Sequence, residues 1–240
     1  MLSSDRGFTI IELLIAVAIV GFVLTGIYSL AISSSQFYLS QNAAVEMQAD
    51  GRAAMDFMAR ELRNVFGTPV ISTTTTANDT ISFDHVEDTG YSSGTNTTTT
   101  LNDTKKTWPS TGFVKSASAT YTVRIIAGTG AGQTRTIDQN TATRLTISPA
   151  WGVTPDGSSF YLITVNKGFT RTSSSDRVLR YRIGAAGDNN PLAENITSHS
   201  FTLPDPNTIR VTLTARTRTI DPTTKQYRFY TIAEDVRTRN

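Results

Sequence analysis

The hydrophobic pattern divides this chain into an apolar N-terminal run, an amphipathic stretch and a long region of short alternating segments. From Phe8 to Ile32 the only charged residue is Glu12. A helix over these residues would be about 37 Å long, because each residue adds about 1.5 Å. That length is enough to cross a hydrocarbon core of about 30 Å. The pattern therefore predicts a membrane-spanning helix over residues 8–32.

Helical periodicity continues beyond this run, but only one face stays apolar. Gly67 and Pro69 predict the end of the helix. We therefore expect one helix from about Phe8 to about Phe66, whose amphipathic part, residues 33–66, packs on a sheet. The apolar positions recur in steps of three, four or seven residues: Phe37, Ala44, Met47, Gly51, Ala54, Met58, Leu62 and Val65.

The rest of the chain predicts antiparallel β-structure. Short segments of alternating apolar and polar residues are separated by turns rich in Gly, Pro, Asp and Asn, which is typical of strands joined by hairpins. In the segment from Arg177 to Ile183, the apolar residues Leu179, Tyr181 and Ile183 share one face, which we expect to turn to the core. The predicted fold class is therefore α+β, a long N-terminal helix on an antiparallel sheet.

Composition and charge argue against several functions. The net charge is +2, from 22 basic and 20 acidic residues, so nucleic acid is not an expected partner. Cysteine is absent, the two histidines are far apart, and no nucleophile–base motif occurs. We therefore expect neither an enzyme nor a cofactor. The glycine run Gly128–Gly132 precedes a strand-like segment and not a helix, so it does not predict a phosphate site.

One acidic cluster carries a histidine: Asp84, His85, Glu87 and Asp88. A metal site is one interpretation, because carboxylates and imidazole are common metal ligands. A solvated strand end is the interpretation that we favour. The other histidine, His199, has no second ligand near it in sequence and is expected to be an ordinary strand residue.

Glu12 is the unusual residue of the N-terminal run. A carboxylate in a membrane-spanning helix costs about 2.5–3.5 kcal/mol and usually has a partner. A cut between Gly7 and Phe8 would free an α-amino group one helical turn before Glu12. The two groups would then neutralise each other, within one chain or between neighbouring chains.

The segment Gly7–Leu13 resembles the class III signal of type IV pilins and of type II secretion pseudopilins. The resemblance implies that a prepilin peptidase cuts after Gly7 and methylates Phe8, and that Glu12 guides docking into a helical filament. Other pilin subunits and the inner membrane are then the expected partners. Arg6 predicts a cytoplasmic N-terminus for a single-pass protein that later enters a periplasmic or extracellular filament. An uncleaved signal anchor and an ordinary cleaved signal peptide are the alternatives.

Two looser resemblances concern the rest of the chain. The stretch Gln48–Val65 resembles PilW-type minor pilins and J-type pseudopilins, and the run from Gly128 to Tyr161 resembles a β module of bacterial surface and phage-associated proteins. We expect a minor pilin, with a type II secretion pseudopilin or a pilus-tip adhesin using residues 101–165 as alternatives. The predicted segments are a leader (1–7), a membrane and filament-core helix (8–32), its amphipathic continuation (33–66), a pilin-like β domain (67–100 and 166–240) and an inserted β module (101–165).

Overall fold

A computed structural model of the chain shows one long helix followed by antiparallel β-structure, which confirms the predicted α+β class. The structure describes residues 9–73, 79–116, 119–171, 175, 177–184 and 189–238. Two compact units are present. One comprises Met1–Glu46 with Thr217–Arg228, and the other comprises Met47–Arg216 with Phe229–Asn240.

The helix α1 spans Ile10–Arg63. The strands within the described residues are β1 (Val65–Thr73), β2 (Asp79–Tyr91), β3 (Thr100–Asn102), β4 (Tyr121–Ala127), β5 (Thr134–Asn140), β6 (Arg144–Ser148), β7 (Phe160–Thr170), β8 (Leu179–Ile183), β9 (Asn189–Ala193), β10 (Ile196–Asp205), β11 (Thr208–Arg216) and β12 (Phe229–Arg237).

The helix ends before the residues predicted to stop it. Val65 already pairs with His85 of β2, so the sheet ladder takes over directly after the last helical turn. Gly67, with a φ of 74°, and Pro69 lie inside β1, where the pairing with β2 changes register. These two residues therefore shape an irregular strand and do not terminate the helix.

The strands form two antiparallel sheets within the second unit. The larger sheet has the order β1-β2-β7-β4-β5-β6-β3. In addition, β8 pairs with the C-terminal part of β7, and β9 pairs with β8. The smaller sheet is the meander β10-β11-β12. β8 thus belongs to the larger sheet, and not to the C-terminal meander that follows it in sequence.

Two hydrophobic cores fill the second unit. In the first, one face of α1 packs on strands of both sheets. Leu179 and Tyr181 belong to this core as predicted, whereas Ile183 does not. The second core lies within residues 101–163 and includes Trp108, Trp151 and Tyr161. Strand β7 serves both cores, because Tyr161 lies in the second and Phe169 in the first. Residues 101–165 therefore have a core of their own but share the larger sheet.

The glycine run forms the turn between β4 and β5. Gly128 and Gly130 have φ values of 78° and 84°, a region that favours glycine. A Cβ atom on Gly128 would lie 2.1 Å from the carbonyl oxygen of Ser158, so no side chain fits there. A strand follows the run, as predicted.

Candidate functional site

Helix α1 begins with a reciprocal capping box formed by Thr9 and Glu12. The backbone N–H and the Oγ1 hydroxyl of Thr9 both donate to Oε2 of Glu12, at 3.0 Å each. The backbone N–H of Glu12 donates back to Oγ1 of Thr9 at 3.3 Å. This arrangement satisfies two N–H groups that have no partner inside the helix. The Thr-x-x-Glu spacing is the sequence signal for this capping box.

The predicted processing residues Gly7 and Phe8 lie outside the described residues, so the pairing of Glu12 with an α-amino group stays a prediction. Within the described part of the chain, Glu12 has no basic side chain as a partner. Its carboxylate is held by Thr9 alone. The Glu12 carboxylate is exposed next to the helix start.

The first half of α1 presents apolar side chains in every direction. Every residue from 9 to 35 is exposed. Among the described residues, α1 is the one helix that is long and apolar enough to cross a membrane, and the most apolar part of it is not buried in the protein. Large examples are Ile10 (80% exposed), Phe22 (81%) and Leu30 (69%). An exposed apolar surface of this extent is typical of contact with lipid or with another protein.

The apolar surface continues beyond the predicted span. Phe37, Tyr38, Leu39 and Val45 are 60–65% exposed. Gly21 and Gly26 have no atom within 4 Å of the position of an added Cβ, so nothing inside the chain requires them to be glycine. The helix runs unbroken through both residues. Close approach of a neighbouring helix remains the interpretation that gives these glycines a role.

A buried carboxylate ties the segment 217–228 to the helix within the first unit. Ser40 Oγ donates to Oδ2 of Asp221 at 2.8 Å, and Nε and Nη2 of Arg228 approach the same oxygen at 2.7 Å. The N–H groups of Thr223 and Thr224 donate to the other oxygen. The hydroxyl of Ser40, followed by these N–H groups and Arg228, holds the pKa of Asp221 well below its usual range.

Two members of the acidic cluster, His85 and Glu87, belong to a largely buried ion network, whereas Asp84 is solvent-exposed as the sequence suggested. Lys167 Nζ lies 3.0 Å from Oε2 of Glu61 and 2.8 Å from Oε1 of Glu87. His85 lies between the same carboxylates, 3.4 Å and 3.1 Å from them, and Tyr181 donates to Glu61 at 3.0 Å. Sequence missed this network because Glu61 and Lys167 come from α1 and β7, far from β2 in the chain.

The network shifts the pKa values of Glu87 and Lys167 in opposite directions. The hydrogen bond from His85, together with Lys167, lowers the pKa of Glu87 to about 2. Burial alone would lower the pKa of Lys167, but its hydrogen bonds to Glu87, Tyr181 and Glu61 outweigh burial and raise that pKa. The described residues contain no group of three or more His, Cys, Asp or Glu arranged to hold a metal ion. An ammonium group thus occupies the centre of this cluster.

His199 lies in β10 and is buried. Its Nε2 contacts the backbone carbonyl oxygen of Asp79, and the backbone N–H of Phe201 donates to the Asp79 carboxylate at 3.0 Å. Burial lowers the pKa of His199, so the neutral ring donates to this carbonyl. His199 therefore links the start of β2 to β10, in keeping with the strand residue expected from the sequence.

Comparison with known proteins gives one match. Residues 2–28 match the prokaryotic N-terminal methylation motif. No curated protein and no solved structure matches the chain. The motif and the exposed apolar helix together support a pilin-like or pseudopilin-like subunit that is anchored in a membrane through its N-terminus. The motif covers Gly7, Phe8 and Glu12, and it implies processing by a prepilin peptidase and assembly with other pilins.

Proposed function

We propose that this chain is a minor pilin, a structural and non-catalytic subunit of a type IV pilus. It enters the filament through α1 after cleavage between Gly7 and Phe8 and N-methylation of Phe8. One observation carries the proposal. The exposed apolar part of α1 starts at Ile10 and contains one carboxylate, Glu12, which has no charged partner among the described residues. The methylation motif, residues 2–28, covers Glu12 and most of this surface.

The physical mechanism follows from the exposed apolar surface. Before assembly, lipid surrounds residues 8–32, and Arg6 keeps the N-terminus in the cytoplasm. In the filament, neighbouring helices replace the lipid, while small residues such as Gly21 and Gly26 allow close packing. The Glu12 carboxylate then pairs with the α-amino group of Phe8, in its own chain or in a neighbour, and this pairing sets the register of the subunit.

A type II secretion pseudopilus is the alternative setting for the same subunit, because its pseudopilins carry the same kind of N-terminal signal. An adhesive role at a pilus tip is favoured by the separate hydrophobic core within residues 101–163. Fab fragments against residues 101–165 test that role. They should block attachment without dissolving filaments, and unchanged attachment at saturating Fab would reject it.

The N-terminus of the protein purified from its own membranes tests the processing step. Intact-mass analysis should show a chain that starts at Phe8 and carries one added methyl group. Cells without the prepilin peptidase provide the control and should yield a chain that retains residues 1–7. A chain from the wild type that starts elsewhere, or starts at Phe8 without the methyl group, would contradict the proposal.

Glu12→Ala tests the assembly step. Incorporation into filaments should fall strongly, because the apolar helix would lack the charge that selects its register. Glu46→Ala is a matched control, since Glu46 is an exposed glutamate on the same helix, and it should assemble like the parent chain. Equal incorporation of the Glu12→Ala chain and the parent would remove Glu12 from the mechanism.

A further inference from the structure

The free sheet edges of the second unit differ in how they are protected against pairing with another strand. Natural edge strands usually carry proline, bulges or charges, or they are very short. β1 contains Pro69 and a bulge, and β9 contains Pro191. β3 has only 3 residues. Edge β10 contains register shifts and is partly covered where Asp79 binds His199 and Phe201.

Strand β12 is neither short nor interrupted, and its charged residues, Glu234, Asp235 and Arg237, all lie C-terminal to Ala233. It pairs with β11 over all 9 of its residues without a register shift. Its sequence, from Phe229 to Arg237, contains neither proline nor glycine. β12 forms one end of the three-stranded sheet, so its second edge faces no strand in the described part of the chain.

The register shows which backbone groups point outward. Thr238 N–H donates to the carbonyl oxygen of Asn207, which continues the β11–β12 register by one residue. In an antiparallel ladder the residues alternate between pairing with the neighbour and facing away. Among the described residues, no hydrogen bond reaches the outward N–H and C=O groups. The outward residues are Phe229, Thr231, Ala233, Asp235 and Arg237.

We propose that this edge is a strand-pairing surface and that its partner is β12 of a second copy of this chain, antiparallel about Ala233. A two-fold axis there pairs Phe229 with Arg237, Thr231 with Asp235, and Ala233 with itself. All outward backbone groups then gain partners. On the opposite face, Tyr230 meets Val236 and Ile232 meets Glu234.

Side-chain charge favours this register over the others. In the antiparallel pair no like charges stand opposite each other, and Arg237 faces an aromatic ring. A parallel, in-register pair would place Asp235 beside Asp235 and Arg237 beside Arg237. An antiparallel pair centred on Asp235 would also face two carboxylates. The Asp235 carboxylate is held within its own chain by Arg210, at 2.7 and 2.8 Å, so it does not compete for the partner strand.

Site-specific cross-linking of the full chain in detergent tests the proposal. The chain has no cysteine, so Ala233→Cys introduces a single thiol. In the proposed pair the two Cα atoms at position 233 lie about 5.5 Å apart, within the range for a disulfide. We expect the disulfide-linked dimer of this variant to form at least about tenfold faster than that of Thr202→Cys. Thr202 is an exposed residue of β10 and serves as the control. Equal rates for the two variants would overturn the proposal.

A mixture experiment fixes the register. Phe229→Cys alone should not cross-link, because the two copies of residue 229 lie at opposite ends of the paired strands. Mixed with Arg237→Cys, it should cross-link readily. Cross-linking of Phe229→Cys with itself would indicate parallel pairing and would overturn the two-fold arrangement, as would a cross-link to a different protein in membranes.

Backbone substitution separates strand pairing from contact through the apolar helix. Added to Ala233→Cys, Thr231→Pro removes an outward N–H and leaves the β11 ladder intact, so the dimer should be lost. Thr231→Val keeps the N–H and should retain the dimer. If Thr231→Pro also lowers the urea midpoint, a second matched pair of variants, Ala233→Lys and Ala233→Gln, takes its place, and their dimer content is measured as molecular mass. The Ala233→Lys chain should then have the smaller mass. Equal dimer content within either matched pair would contradict the proposal. The inference does not depend on the proposed pilin function.

Discussion

The two halves of helix α1 are built from the same backbone but solve opposite problems. Residues 9–35 are exposed on all sides. From Met47 onward, one face is buried, with Met55, Met58 and Leu62 fully inaccessible to solvent. The second half therefore finds its packing partners inside the chain. The first half must find them outside, in lipid or in other subunits.

The two glutamates Glu12 and Glu61 repeat this contrast at the level of charge. Glu61 is surrounded by Lys167, His85 and Tyr181 of its own chain. Glu12 is held only by Thr9 within the described residues. Under the proposed function, Glu61 is a residue of the folded unit, whereas Glu12 is the carboxylate that pairs during assembly.

Removal of the central cation of the buried network should have the largest effect. Lys167→Met leaves Glu61 and Glu87 close together with only His85 between them. We expect unfolding to become about 3–5 kcal/mol easier, because breaking a buried ion pair strands a charge. Urea unfolding followed by tryptophan fluorescence measures it. Lys105→Met, at an exposed lysine, should change stability by no more than about 0.5 kcal/mol, and a similar loss in both variants would refute the importance of the network.

A pair of leucine truncations compares the two helix halves directly. Leu62→Ala opens a cavity under a fully buried side chain and should cost about 2–5 kcal/mol. Leu14→Ala, at a side chain that is 62% exposed, should leave the free energy of unfolding within about 0.5 kcal/mol. Both are measured by urea unfolding of the full chain in detergent. Equal losses would mean that the first half is packed inside the protein after all.

The general architecture follows from periodicity, but the endpoint of the helix does not. A period near 3.6 identified the face with Met47, Met58 and Leu62, and alternation placed Leu179 in the core. Helix breakers at Gly67 and Pro69 gave an end that was too late. There, long-range pairing of Val65 with β2 overrides local propensity, and a single sequence does not contain that information.

The part of the candidate site with local chemistry is visible in the sequence, and the roles of its residues stay predictions. Gly7, Phe8 and Glu12 are neighbours in sequence, and the matched motif covers them. The ion network is the opposite case, since Glu61, His85 and Lys167 meet only through the antiparallel pairing of β2 with β7 under the helix. The spacing of these residues in the sequence does not predict the contact. The free edge of β12 likewise depends on which strand lies outermost in the smaller sheet.

The ion network should also make stability depend on pH in a predictable direction. Glu87 has a folded-state pKa of about 2, below the ordinary value of 4.5. Its contribution is therefore complete above about pH 5 and is lost as the pH falls toward 2. With allowance for its partly solvated carboxylate, we expect a loss of about 1–2 kcal/mol. In Glu87→Gln this part of the urea-midpoint profile should flatten, and a profile parallel to that of the parent would contradict the assignment.

The smallest effect on stability should come from substitutions at the helix start. Two of them separate the capping role of Thr9 and Glu12 from the charge of Glu12. Thr9→Val removes the hydroxyl of the capping box and should cost about 1 kcal/mol locally. Amide exchange in the first helical turn should then accelerate, while the urea midpoint stays unchanged.

Glu12→Gln preserves capping, because glutamine also serves at this position, but it removes the negative charge. If the carboxylate acts in assembly through a cation, Glu12→Gln should reduce filament incorporation without changing first-turn exchange, and Thr9→Val should do the reverse. Normal incorporation of Glu12→Gln would instead assign Glu12 to the helix cap, and the contrast with Glu61 would lose its functional meaning.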